Sequence, residues 1–148
     1  MNGDSLALLE IDALRNAKRS YLEHHPLTTA DHLGQYACLI HEHIPAPAGC
    51  IYYLDSKKRL LEKEILYSGV VLSVEDCCAH LAQGMVTHRA ACAAISMARS
   101  RIGLDREDLD RASRIALFCE AKGIPLLEIV WIDGDGYLPL CRFFGPKS

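Results

Sequence analysis

Residues 49–67 read GCIYYLDSKKRLLEKEILY, and the fold turns on how this stretch is read. Gly49 to Asp55 is a short run of apolar and aromatic residues, the types that fit a pleated, buried surface. Ser56-Lys57-Lys58 supplies a turn and Arg59 to Tyr67 continues as a partner, so the stretch predicts a β-hairpin that Gly69 closes. Toward the N-terminus the period changes. Leu6, Leu8, Leu9, Ile11, Leu14, Ala17 and Leu22 form a broad apolar stripe that predicts a helix over 4–23, capped by Asp4 or Ser5. His24-His25-Pro26 ends it, because the residue before a proline is pushed out of the α region. Thr28 or Thr29 opens a second helix with Leu33, Tyr36, Ala37 and Ile40 on one side, and residues 44–49 form a loop.

Toward the C-terminus, Ser73 or Val74 opens a helix carrying Cys77, Cys78, Leu81, Ala82 and Met85. Ala90 to Met97 (AACAAISM) is an apolar run of ambiguous period whose length favours a buried strand. A basic loop runs through Gly103, and Asp105 caps a helix to about Lys122, which Gly123-Ile124-Pro125 stops. Leu126 to Ile132 and Tyr137 to Phe143 predict two last strands, joined by a hairpin turn at Asp133-Gly134-Asp135-Gly136.

Half of the 148 residues are hydrophobic, enough for one domain whose core needs neither disulfide nor metal. Seven cysteines, with no signal peptide and no apolar stretch long enough to span a membrane, point to reduced thiols in a cytoplasmic protein. The net charge of −3 argues against nucleic-acid or anionic-membrane binding. The basic residues nevertheless cluster, at Arg89, Arg99, Arg101, Arg106, Arg111 and Arg114.

The order helix–hairpin–helix–strand–loop–helix–hairpin resembles the RadC branch of the JAB/MPN (JAMM) family. The residues that carry the likeness are Tyr53-Leu54-Asp55-Ser56-Lys57-Lys58-Arg59-Leu60-Leu61, Glu64-Ile65-Leu66-Tyr67-Ser68-Gly69, Arg106-Glu107-Asp108, and Gly123-Ile124-Pro125-Leu126-Leu127-Glu128 running into Asp133-Gly134-Asp135-Gly136-Tyr137. They span about 27–141. The resemblance implies an α/β fold of the MPN, cytidine-deaminase-like type: a mixed, curved β-sheet flanked by helices. Residues 1–26 would form an N-terminal helical extension and 27–148 the domain itself.

The family holds zinc with a His-x-His-Pro signature and a later Ser-x-x-Asp, and a glutamate of the hairpin acts as general base on the bound water. Anchored on Asp108, the two histidine positions fall on Ile95 and Met97; anchored on Ser100, on Ser96 and Ala98. Neither register supplies a histidine, and the family's Asp-His pair after Leu-Leu becomes Glu128-Ile129. Glu64, Ser100 and Asp108 remain as relict candidates, with Asp108 the one surviving position of ligand type. Asp108 also suits the third position of a helix capped by Asp105, and Glu64 suits a solvated strand face. With zinc gone, the resemblance brings Glu64 and Asp108 toward one pocket, where Arg99 or Arg101 could replace the cation; alternatively both arginines solvate a loop.

Other constellations carry less. His41-Glu42-His43 lies at a helix end where its side chains diverge, and Cys77, Cys78, His80, His88 and Cys92 lack paired zinc spacing. The reading is a metal-free, non-catalytic interaction or scaffold module without cofactor, binding a protein partner or its own copies. The alternatives are a zinc-dependent hydrolase with a rebuilt site and, from the family name, a DNA-repair-associated accessory protein.

Overall fold

In a computed structural model of the chain, which describes residues 3–99, 103–134 and 136–144, the hairpin of 49–67 is β1 (Ala48–Leu54) and β2 (Leu60–Ser68). The two pair antiparallel, and the Asp55 carboxylate fixes their turn by accepting from the amides of Lys57 and Arg59 at 2.8 and 2.9 Å. Before the hairpin stand α1 (Gly3–Glu23) and α2 (Ala30–His41). After it come α3 (Val74–Thr87), β3 (Cys92–Ala98), α4 (Arg106–Lys122), β4 (Leu126–Asp133) and β5 (Gly136–Pro139). Thr29, Ser73 and Asp105 each accept from a backbone amide in the first turn of their helices, and Gly123 ends α4 in the left-handed region that a side chain would strain.

The fold is mixed α/β: four helices and one five-stranded sheet in the order β2-β1-β3-β4-β5 among the described residues. β3 and β4 run parallel, with α4 as the crossover between them, and the other three pairings are antiparallel. Every residue of β1 and of β3 is buried, because helices cover both faces of the sheet. A strand buried on both sides carries no polar alternation, which is why AACAAISM reads as an unbroken apolar run.

Cys50, Tyr52, Leu54, Cys92, Ala94, Ala98, Val130 and Ile132 pack under α2. Ile51, Tyr53, Ala93, Ile95, Met97, Ile129 and Trp131 pack under α3 and α4. α1 touches the first layer only near its C-terminal end. Leu22 is buried there, and Glu23 accepts from the Tyr36 hydroxyl at 3.0 Å. Leu9, Ile11, Leu14 and Tyr21 of the same helix stay exposed. Among the described residues no helix is long and apolar enough to cross a membrane.

The last strand is shorter than the sequence predicts. β5 ends at Pro139, and Cys141–Phe143 forms a 3-10 turn instead of continuing to Phe143. The cause is Glu128, whose carboxylate accepts from the Cys141 amide at 2.8 Å and draws the chain out of the ladder.

α3 approaches β1 closely at Gly84, where a Cβ would lie 1.9 Å from the Tyr53 hydroxyl oxygen. A helical Gly→Ala change normally gains up to about 1 kcal/mol, whereas overpacking a filled core costs about 1–3 kcal/mol. Gly84→Ala is therefore expected to lower stability by about 1–2 kcal/mol in urea unfolding, the clash outweighing the propensity. A stabilised variant would contradict this packing.

Candidate functional site

The alternation of β3 decides which side chains share a face. Ile95 lies in one row with Ile51 of β1 and Glu64 of β2, and Met97 lies in the next with Gly49 and Trp131. Both rows face α3 and α4. Ser96 and Ala98 face the opposite way, toward α2, so only the register anchored on Asp108 puts the two histidine positions on the side of Glu64. At those positions the side chains are core: Ile95 and Met97 are buried, and the Tyr67 ring closes over Gly49, where a Cβ would meet it at 2.6 Å.

Glu64 has its own partners on this face. The Tyr53 hydroxyl lies 2.9 Å from one carboxylate oxygen and donates to it, while His80 Nδ1 lies 3.2 Å from the other. Burial, and then the bond to Glu64, holds the Tyr53 phenol well above the ordinary tyrosine range. Glu64 is therefore a partly covered acceptor for a core tyrosine, not an open solvated carboxylate.

Asp108 stands at the start of α4. Asp105 caps that helix by accepting from the Asp108 amide at 2.9 Å, and the Asp108 carboxylate accepts in return from the Asp105 amide at 3.2 Å. Arg99, two residues beyond Met97, donates from Nε to the same carboxylate at 2.7 Å. The Asp108 side chain is 2 % exposed and that of Arg99 19 %, so this ion pair is largely out of water. The structure thus brings Arg99 and Asp108 together, while Glu64 keeps company with Tyr53 and His80. Ser100 and Arg101 lie outside the described residues.

A second polar group, which the sequence reading did not single out, lies on the α2 face. His41 Nε2 and the Tyr52 hydroxyl each lie 2.7 Å from the Ser96 hydroxyl. All three residues are buried, and Ser96 and Tyr52 expose nothing. Burial depresses the His41 imidazole to about 4 and pushes the neighbouring Cys50 thiol up to about 11. A serine beside a histidine invites a nucleophilic reading, but His41 Nδ1 has no hydrogen-bond partner to orient the ring, and no substrate reaches a hydroxyl without exposed surface. These groups hold α2 to the sheet. The signal in the sequence was slight: one serine inside an apolar run, and a histidine four residues after Ala37 on the buried face of α2.

The remaining candidates separate. His41 turns inward and His43 stays exposed; Cys92 lies in the α2 layer, while Cys77 and Cys78 lie beneath α3 and α4. Among the described residues no three metal-binding side chains converge, and no cysteine is in a disulfide. Neither a family model nor a curated protein matches the chain.

Removing one partner of a buried ion pair strands the other, so Arg99→Ala is expected to cost about 3 kcal/mol in chemical denaturation, against about 0.5 kcal/mol for a surface change. A loss no larger than the surface value would show that Asp108 does not need the guanidinium.

His41 fixes the sign of a pH effect. Its native value of about 4 lies below the ordinary 6.5, so its contribution is complete above pH 6.5. As pH falls toward 4 the unfolded chain takes a proton that the native chain refuses, and up to about 3 kcal/mol of stability is lost. His41→Gln is expected to flatten this window in melts taken from pH 7 to pH 4. An unchanged slope would mean that His41 is not the group responsible.

Proposed function

We propose that this chain is a RadC-like JAB/MPN domain that has lost its metal chemistry and works as a protein-interaction or scaffold module. Support comes first from the order of elements and the quoted landmarks, which run together through most of the chain. It comes next from one face of the sheet, where Glu64, the two histidine positions and Asp108 fall in the family's sequence order.

The donor set on that face does not fit zinc. Ile95 offers no lone pair, Met97 offers a buried thioether, and the Asp108 carboxylate is taken by a guanidinium. The observation that carries the proposal is this pair: Arg99 neutralises Asp108 with a fixed cation, so the carboxylate is stable where a relative would need a metal. Without a bound ion to lower its pKa, water is a poor nucleophile at neutral pH, and the Glu64 carboxylate is already committed to Tyr53.

The exposed apolar residues of α1 and the unpaired outer edge of β2 supply surface for a protein partner. Elemental analysis of the purified chain is expected to find well under about 0.1 zinc per chain. It should also show no metal-dependent hydrolysis of peptide or isopeptide substrates. Stoichiometric zinc, lost together with hydrolytic activity on Asp108→Ala, would replace this proposal with a rebuilt hydrolase.

A further inference from the structure

α1 is bound on one side only. Leu22 is buried, Arg15 lies 3.5 Å from Glu42 of α2, and Glu23 meets Tyr36 and Lys63. At 3.6 residues per turn these contacts share one flank of the helix, and Leu14, Ala17 and Tyr21, with Ile11 beside them, run along the other. Leu14 is 71 % exposed and Tyr21 59 %. Such a stripe, on a helix some 30 Å long, is far more apolar surface than a scattered exposed leucine.

We infer that this outward stripe pairs with the same stripe of a second copy, the two helices antiparallel about a two-fold axis beside Leu14. The charge distribution selects both the partner and the direction. Glu10 and Asp12 precede Leu14, while Arg15, Lys18 and Arg19 follow it. In an antiparallel pair the acidic half of each helix runs along the basic half of the other, and the two helix dipoles oppose favourably. Glu10 and Lys18, each four residues from Leu14 and on opposite borders of the stripe, come to the same height on the two copies. A parallel pair would instead set Glu10 beside Glu10 and Lys18 beside Lys18. A self-complementary patch of this kind is what an isologous dimer requires. This gives the interaction module its partner and rests on that reading only for its biological sense. The zinc measurement tests the sheet face and an association measurement tests this helix, so either can fail alone.

The test is sedimentation equilibrium of the full chain from about 1 µM to about 500 µM, the range in which a dimer of moderate affinity loads. The native chain is expected to pass from monomer to dimer. Leu14→Asp removes two buried leucines at the axis and sets two like charges there, and is expected to weaken association about a hundredfold or more. Because Leu14 is exposed in the single copy, the melting curve of that variant at low concentration should stay native. Glu10→Lys and Lys18→Glu, each alone, convert attraction across about 9 Å of screened solvent into repulsion, and should weaken association about threefold. An equimolar mixture of these two variants restores both attractions and should associate as the native chain does. A native chain that stays monomeric at the highest concentration would overturn the inference. A dimer indifferent to Leu14→Asp would also overturn it, as would a mixture that recovers nothing.

Discussion

The central pair of strands, β1 and β3, is covered by helices on both faces, and most of the molecule follows from that constraint. No polar atom survives in such a strand without a partner, since stranding one costs about 1–3 kcal/mol. β1 nevertheless carries two adjacent tyrosines, which must point to opposite faces. Each hydroxyl therefore recruits its own acceptor: Tyr53 takes Glu64 from β2, and Tyr52 takes Ser96 from β3 with His41 behind it. The two polar clusters of the protein, one in each layer, are thus consequences of one dipeptide in the middle of the sheet.

A comparable necessity operates where β3 leaves the core. Asp108 is drawn under the start of α4 by its role in the cap, and at 2 % exposure its charge needs a counter-ion. The chain supplies one from two residues past Met97, on the same side of the strand, so Arg99 arrives by the alternation of the backbone alone. The pair ties the end of β3 to the beginning of the next helix. Under the proposed relationship this pair would be the protein's own substitute for a metal: a permanent charge that keeps the architecture and ends the chemistry.

Much of this architecture was legible in the order of residues. The hairpin, the caps at Thr29, Ser73 and Asp105, and the stop at Gly123 are local features, set within a few residues by turn chemistry and by the four orphan amides of a helix start. The early end of β5 was not legible, because the group responsible, Glu128, lies on the neighbouring strand and acts through its side chain. The candidate site was legible in part. Asp108 and Arg99 could be named from their positions, and so could the absence of histidines, but the pairing of Glu64 with His80 depends on how α3 sits over β2. The bond between His41 and Ser96 spans 55 positions and joins two elements that each look ordinary alone. Such contacts arise from tertiary packing, which no local period encodes.

Trp131, the one tryptophan of the chain, sits on β4 beneath α4, 2 % exposed, with no hydrogen-bond partner for its indole nitrogen. An indole shut away from water and unrelaxed by any acceptor emits toward the blue. Because the other helical layer holds no second indole, the colour of that emission reports on the α3 and α4 side alone. The molecule therefore carries a built-in optical gauge for one of its halves, and loosening of the other half would pass unseen in fluorescence while still registering in ellipticity.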